Sequence, residues 1–360
     1  MKKYVILNFS WGHGSYLSCL KWALESWEPD VGIIVPNVYG ETQKRIISEQ
    51  FPDADIFYFD KLGDSLRDIF WKGSTSFCVY LCEWLEKIDK TETRIEQLLT
   101  THFEIYNTKG DYFVVNPKQI ICEVARSPRV MYPFDKSIRE NYSFGFLSDV
   151  CDQYSQTEGI PEVYEFLLLA AAERFEAMED NYTMNYIASP GSFSFCSNRI
   201  IRHNEEKVDL VLDELPYSKN GNCSIKDGVY LNISGIPNLP SLFKTLVDFY
   251  GIATRHGLKL YSNDTFRAFS LCQYLNPSQM GNPKIKFIAG RAGWGTIGKS
   301  LAYKKPLIAL PFNEFDDPEI YFNNKTVEKL GIGVVYDHNK SFLENQDIFD
   351  LAGECLKNYD

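Results

Sequence analysis

Apolar positions in the first sixty residues gather into short runs with amphipathic stretches between them. Tyr4–Phe9 is apolar apart from Asn8, and Val31–Val35 and Ile56–Phe59 repeat the pattern. Runs of this length suit strands buried on both faces. Between them, Ser15–Trp27 and Glu41–Gln50 space apolar among polar residues as helices do. The βαβαβ rhythm predicts a parallel sheet with helices on its faces. Further on, Phe77–Leu99 reads as a long helix and Lys118–Ala125 as a short one. Tyr112–Val115 and Arg129–Tyr132 read as strands.

The pattern loosens between Asp135 and Arg202. Glu162–Met178 is periodic enough for a helix, but its flanks are not, which leaves open an elaboration of the first domain or a cap. Alternation resumes near Asp209. Strands are expected at Val229–Ile233, Leu258–Tyr261, Ile285–Ala289, Leu307–Leu310 and Gly333–Tyr336. Helices are expected at Leu242–Thr254, Thr265–Leu275, Trp294–Tyr303, Glu319–Leu330 and Gln346–Leu356. The predicted organisation is an α/β chain of two Rossmann-like domains. Residues 1–205 form the first, with an irregular helical elaboration over about 135–202. Residues 206–345 form the second, and 346–360 a terminal helix.

Composition narrows the function. With 360 residues, 44% hydrophobic and 24% charged, the chain is globular rather than disordered. Its longest apolar run, Phe166–Ala172, falls short of the ~20 residues that span a bilayer, which leaves only peripheral membrane contact open. The N-terminal apolar run meets Gly12-His13-Gly14 where a signal peptide would continue, so it reads as a first strand. Nine cysteines without a C-x-x-C pair fit a reducing, cytoplasmic setting. Cys78 and Cys82 fall on one helix face with nothing to complete a metal site, and read as core. A net charge of −11 with no basic patch argues against a nucleic-acid partner.

The densest chemical signal is residues 284–312. A strand leads into Gly290, Gly293 and Gly295, and a helix opens at about Trp294–Thr296. Glycines admit a ligand close to the backbone, and a helix N-terminus favours an anion such as phosphate. A turn needing glycine only for packing reads the same way. Gly293 to Ser300 also satisfies G-x-x-x-x-G-K-[ST], the P-loop pattern, with Lys299 on the phosphates. Against this, the strand Leu307–Leu310 ends in Pro311 and Phe312, with no acid to hold Mg²⁺.

A longer stretch carries a second reading. Gly293-Trp294-Gly295-Thr296 is followed by Lys305-Pro306 and Leu310-Pro311, then by Glu319 four residues before Asn323, then by Leu330-Gly331 and Gly333. In order and spacing, residues 287–337 resemble the donor half of GT-B nucleotide-sugar glycosyltransferases. That family includes the peptidoglycan N-acetylglucosaminyltransferase and the macrolide and plant-type UDP-glycosyltransferases. Ser10-Trp11-Gly12-His13-Gly14, after the first strand, is similar to the Gly/His loop of these families. Lys299 stands where the family usually carries a ribose-binding glutamate, and Ile320 where it carries glutamine.

The resemblance implies two Rossmann-type domains with parallel sheets facing across a cleft. It implies transfer of a sugar from a nucleotide diphosphate, UDP most of all, to an acceptor hydroxyl, with inversion and without a metal or other cofactor. His13 would be the general base, with Gly12 and Gly14 supporting its loop; imidazole, with a pKa near 6.5, suits that role. Gly293, Gly295, Thr296, Lys299, Glu319 and Asn323 would bind the donor, together with Ser234 and Gly235 after the strand Val229–Ile233. Asp316 and Asp317 read first as a helix start. The partners expected are a nucleotide sugar and an acceptor that the sequence leaves unidentified. Three alternatives stand beside this reading: a nucleotide-sugar hydrolase or epimerase of the same fold, a non-catalytic partner of a transferase, and the P-loop NTPase.

Overall fold

A computed structural model describes residues 2–71, 75–143, 145–189, 202–209, 225–232, 243–262, 271–313 and 315–359. The chain divides into two compact units, Met1–Val211 and Leu212–Asp360. Ser234 and Gly235 lie outside the described residues.

In the first unit, the described strands are β1 (Tyr4–Phe9), β2 (Gly32–Pro36), β3 (Ile56–Phe59), β4 (Phe103–Asn107), β5 (Tyr112–Val115), β6 (Ile120–Arg126), β7 (Arg139–Ser143), β8 (Met184–Ser189) and β9 (Glu205–Asp209). They form one nine-stranded sheet in the order β5-β4-β3-β2-β1-β6-β7-β8-β9. From β3 to β9 every pairing is parallel, and β4 and β5 add an antiparallel hairpin outside β3. The residues of β1, β2 and β3 are buried throughout, as expected for strands covered on both faces. The helix Phe77–Leu99 opens on Ser76, whose hydroxyl accepts the Val79 N–H. It turns Tyr80, Leu81, Trp84, Ile88, Ile95 and Leu99 into the core at three- to four-residue spacing.

Three sequence expectations are corrected here. Lys118–Ala125 is not a helix: after a short 3₁₀ turn, Ile120–Arg126 is the strand paired to β1. Its β-branched residues decide the matter, and the Glu123 charge that disguised the run is neutralised inside. Arg129–Tyr132 is consequently the connection after that strand rather than a strand. The stretch from 135 to 202 contributes β7 and β8 to the parallel sheet, and the first unit continues past residue 205 to include β9.

A buried polar network ties these middle strands together. The Glu123 carboxylate on β6 accepts from Asn8 on β1 (2.8 Å), Arg139 on β7 (3.0 Å) and the Tyr182 hydroxyl (3.0 Å). The Arg139 guanidinium also lies 4.7 Å from the Tyr182 ring centre. Burial pushes the Glu123 carboxyl up from its ordinary value, and Arg139 opposes that shift. Removing one partner of such a pair strands a charge in the interior, at about 3–5 kcal/mol. Arg139→Met should lower the urea-unfolding free energy of the first unit by about that amount. A loss within measurement error would mean that the network contributes little to stability.

The second unit is a six-stranded sheet of the described strands β10 (Gly228–Asn232), β11 (Lys259–Ser262), β12 (Gln273–Tyr274), β13 (Ile285–Gly290), β14 (Leu307–Ala309) and β15 (Gly333–Val335). Its order is β12-β11-β10-β13-β14-β15, parallel at every pairing. Numbered within the unit this is 3-2-1-4-5-6, the doubly wound Rossmann order. The predicted helix Thr265–Leu275 is corrected at its end, where Gln273 and Tyr274 form the outermost strand; residues 263–270 lie outside the described residues. Among the described residues, no helix is long and apolar enough to cross a membrane.

Candidate functional site

In an open parallel sheet, ligands sit beyond the carboxyl ends of the strands where the winding reverses direction. That point lies between β1 and β6 in the first unit and between β10 and β13 in the second. The described candidate residues collect at these two places, each of which is built by one unit.

In the first unit, Gly12 takes φ +89°, a conformation that excludes most side chains, and the helix His13–Ser26 begins directly after it. The helix was expected from Ser15, so His13 is a first-turn helical residue rather than a loop residue. Its Nδ1 lies 2.9 Å from the Tyr16 hydroxyl, and its ring centre lies 4.9 Å from that of Tyr39. The Tyr39 hydroxyl accepts the Gly12 N–H at 2.6 Å. Partial burial, and then the charge of Arg45, hold the His13 imidazole below its ordinary pKa. A Cβ added to Gly14 would meet nothing within 4 Å, so packing does not require glycine there.

The end of β6 grips this corner. Arg126 donates to the Gly14 carbonyl at 2.5 Å and to the Ser18 hydroxyl. Ser127, before Pro128, is held at φ +46°, and its carbonyl accepts from Arg129 at 2.7 Å. The Arg129 guanidinium lies 4.0 Å over Trp11. A non-glycine residue in this region stores about 1–3 kcal/mol of strain, which the surrounding contacts must hold.

In the second unit, β10 and β13 approach so closely that a Cβ on Gly290 would lie 2.2 Å from the Asn232 carbonyl oxygen. Asn232 then donates across the crevice to the Thr296 hydroxyl at 2.9 Å. The helix Trp294–Tyr303 begins after Gly293, with no side chain capping it. Gly295 is exposed in its first turn, and a Cβ there would meet nothing within 4 Å.

The acidic helix start meets the same loop. Asp317 caps the helix Pro318–Leu330 by accepting the Glu319 N–H at 2.9 Å, as the sequence suggests. Asp316 is buried and lies 2.9 Å from Arg291 Nε. Burial raises its carboxyl above the usual range, and Arg291 works against that. Asn323 is fully buried, and its amide bridges the Ala292 carbonyl (2.7 Å) and the Glu319 carboxylate (3.1 Å). The bridge brings Glu319 to the glycine turn. Ile320 is buried, and its Cδ1 lies 4.0 Å from where a Gly293 Cβ would stand, so it packs under the turn.

The geometry corrects the P-loop alternative. The helix already runs through Trp294–Ser300, so the eight residues do not form a phosphate-wrapping loop. Ser300 is fully buried, bonded to the Lys305 carbonyl at 2.7 Å and to the Tyr359 hydroxyl at 2.6 Å. It cannot hold a metal at a phosphate. Lys299 is half-buried one turn into the helix. Thr296 and Asn323 face inward and position the backbone rather than presenting side chains to solvent. The sequence pattern marks the loop that begins at Asn232 but not Tyr16 or Arg291. The i, i+3 spacing of His13 and Tyr16 is the available signal, and it counts only when the helix begins at His13 rather than at Ser15.

No protein-family model and no curated protein sequence matches the chain. Solved structures do. A UDP-glucosyltransferase from Polygonum tinctorium capable of glucosylating indoxyl, in complex with 3,4-dichloroaniline, superposes with a TM-score of 0.61 at 11% identity, covering 100% of this chain and 92% of that one. Phytolacca americana UGT2, complexed with UDP-2fluoro-glucose and pterostilbene, gives 0.59 at 9% identity, covering 100% and 94%. The glycosyltransferase of kitacinnamycin gives 0.59 at 10% identity, with the same coverage. At such identities the likeness is one of architecture, and it extends over the whole chain. The protein has the GT-B-type fold of these glycosyltransferases, an α/β structure of two parallel-sheet, Rossmann-type units.

Proposed function

We propose that the protein is an inverting glycosyltransferase that moves a sugar from a nucleotide diphosphate, UDP most of all, to an acceptor hydroxyl. One observation carries the reading. At the winding reversal of the second unit, the helix after β13 opens on Gly293, with an exposed Gly295 that the packing does not require to be glycine. Asn323 holds Glu319 beside that turn. A turn shaped to leave space over a helix N-terminus suits a diphosphate, and a neighbouring carboxylate suits sugar hydroxyls.

In this mechanism Nε2 of His13 takes the acceptor proton as the acceptor oxygen bonds to the anomeric carbon. The nucleotide diphosphate leaves from the opposite side with the bonding electron pair. The helix N-terminus and the Lys299 ammonium stabilise the charge that develops on it, so the step needs no metal. A reducing cytoplasmic setting fits the described cysteines, which are all free.

The test is a thermal-shift screen of the full chain against UDP-, TDP-, GDP- and ADP-sugars, followed by detection of nucleotide diphosphate release with candidate acceptors. A specific rise in melting temperature with one nucleotide class supports the reading, because ligand binding to the native state raises it by linkage. No rise with any nucleotide would overturn it. A second reading, a non-catalytic partner of a transferase, draws on Ile320, which is buried under the turn instead of offering a polar group to a sugar. Binding without turnover would favour that reading.

A further inference from the structure

The imidazole of His13 has an orienting partner of unusual chemistry. Tyr16 stands one helical turn further on, with its ring fully buried against Phe9 and Tyr39 at centre distances of 5.7 Å and 6.1 Å. Its hydroxyl lies 2.9 Å from His13 Nδ1, and among the described residues it makes no other hydrogen bond. The titratable and charged groups facing this pair are Tyr39 after β2, Arg45 on the helix Glu41–Gln50, and Tyr58 on β3. Among the described residues, no carboxylate is bonded to the imidazole.

We infer that Tyr16 is a positioning residue for the proposed base: its neutral hydroxyl accepts the His13 Nδ1–H and so leaves the Nε2 lone pair on the ring's open edge. This rests on the reading of His13 as the general base.

The chemistry of imidazole supports the direction of the bond. A neutral ring carries one N–H, and the nitrogen that carries it is set by the partner of the other. If the Tyr16 hydroxyl donated to Nδ1, Nε2 would carry the hydrogen and could not take a proton from an acceptor. Once Nε2 gains that proton, Nδ1 carries hydrogen in any case and must donate to the Tyr16 oxygen. Only the arrangement with Nδ1–H donating persists through the proton transfer without a rotation of the hydroxyl. Burial raises the Tyr16 phenol well above its ordinary pKa and keeps it neutral. Tyr16 therefore orients the ring without supplying a negative charge to stabilise the imidazolium. The packing of its ring between Phe9 and Tyr39 fixes the position of the hydroxyl, and hence the direction of the His13 ring.

The test reads the tautomer directly. Full-length protein carrying isotope-labelled histidine, held at a pH where His13 is neutral, shows by long-range nitrogen–proton correlation which ring nitrogen bears the hydrogen. His13→Gln identifies the signal. The wild type should carry Nδ1–H, and Tyr16→Phe, which keeps the buried ring, should shift His13 towards the Nε2–H form. Turnover in Tyr16→Phe should fall by about 10–100-fold, by analogy with the loss of the partner that orients a metal-ligating histidine. Nucleotide affinity should not change, and Tyr16→Phe should add nothing to the loss caused by His13→Ala. A wild-type Nε2–H tautomer, or a tautomer unaffected by Tyr16→Phe, overturns the inference, and the first needs no variant to fold. If His13→Ala turns over at the wild-type rate, the assignment of the base fails instead, and the tautomer measurement separates the two failures.

Discussion

Gly295→Val should abolish nucleotide-diphosphate binding while leaving the fold intact. Gly295 stands in the first turn of the helix Trp294–Tyr303, exposed, with nothing within 4 Å of the position a Cβ would take. Valine is no worse than glycine in a helix interior, so the melting temperature of the free protein should hold steady or rise slightly. The branched side chain would instead occupy the space over the helix N-terminus, where the ligand's charged oxygens need to reach backbone N–H groups. Each hydrogen bond to a charged group contributes about 1.5–3 kcal/mol. Losing two of them weakens affinity by about 10²–10⁴-fold, at 1.4 kcal/mol per factor of ten. Gly295→Ala, with one carbon in place of three, should lie between. Titration calorimetry with the nucleotide sugar found by thermal shift measures both. Wild-type affinity in Gly295→Val would move the phosphate site away from this helix.

Strands buried on both faces announce themselves as continuous apolar runs, which is why β1 and β3 match their expected bounds. The exceptions are strands whose polar residues are paired inside the protein. Ile120–Arg126 carries Glu123 and Arg126, and Arg139–Ser143 carries Arg139, Glu140 and Asn141. A local reading scores such charges as solvent-facing. Their partners lie far along the chain, with Asn8 separated from Glu123 by 115 positions and Tyr182 by 59, so nothing local reveals them. The same long-range pairing concealed how the stretch after residue 135 joins the first sheet.

The candidate site divides along a similar line. Glycines at a strand-to-helix junction and the Asp317-Pro318 helix start are local signals, and helices do open after Gly293 and on Asp317. What a side chain does at the site depends on which way it faces. Thr296 and Asn323 belong to a ligand-binding pattern in the sequence, yet both turn inward, one accepting from Asn232 and the other bridging Ala292 to Glu319. Their side chains shape the turn from within. Ser300 shows the limit of pattern matching. The P-loop spelling is complete, but the helix begins six residues before it and turns its hydroxyl into the core.

His13→Ala separates an enzyme from a binding relic. A positioned general base contributes about 10²–10⁴-fold to rate. Turnover should fall by that factor, while affinity for the nucleotide sugar, whose proposed site lies in the second unit, stays at the wild-type value. The pH profile makes the assignment more specific. A base works only when neutral, so activity should decline as pH falls through the pKa of His13. Burial and Arg45 both disfavour the imidazolium, so that decline should lie below the ordinary histidine value of 6.5. Arg45→Gln removes the second of these influences. It should move the acidic limb upward and leave the plateau rate nearly unchanged, since Arg45 makes its ion pair with Glu49, at 3.0 Å, on the same helix. His13→Ala should lack the limb altogether. An acidic limb that survives His13→Ala would assign the proton transfer to another group. A limb unmoved by Arg45→Gln in an otherwise active enzyme would show that the titrating group is not the imidazole beside Tyr16.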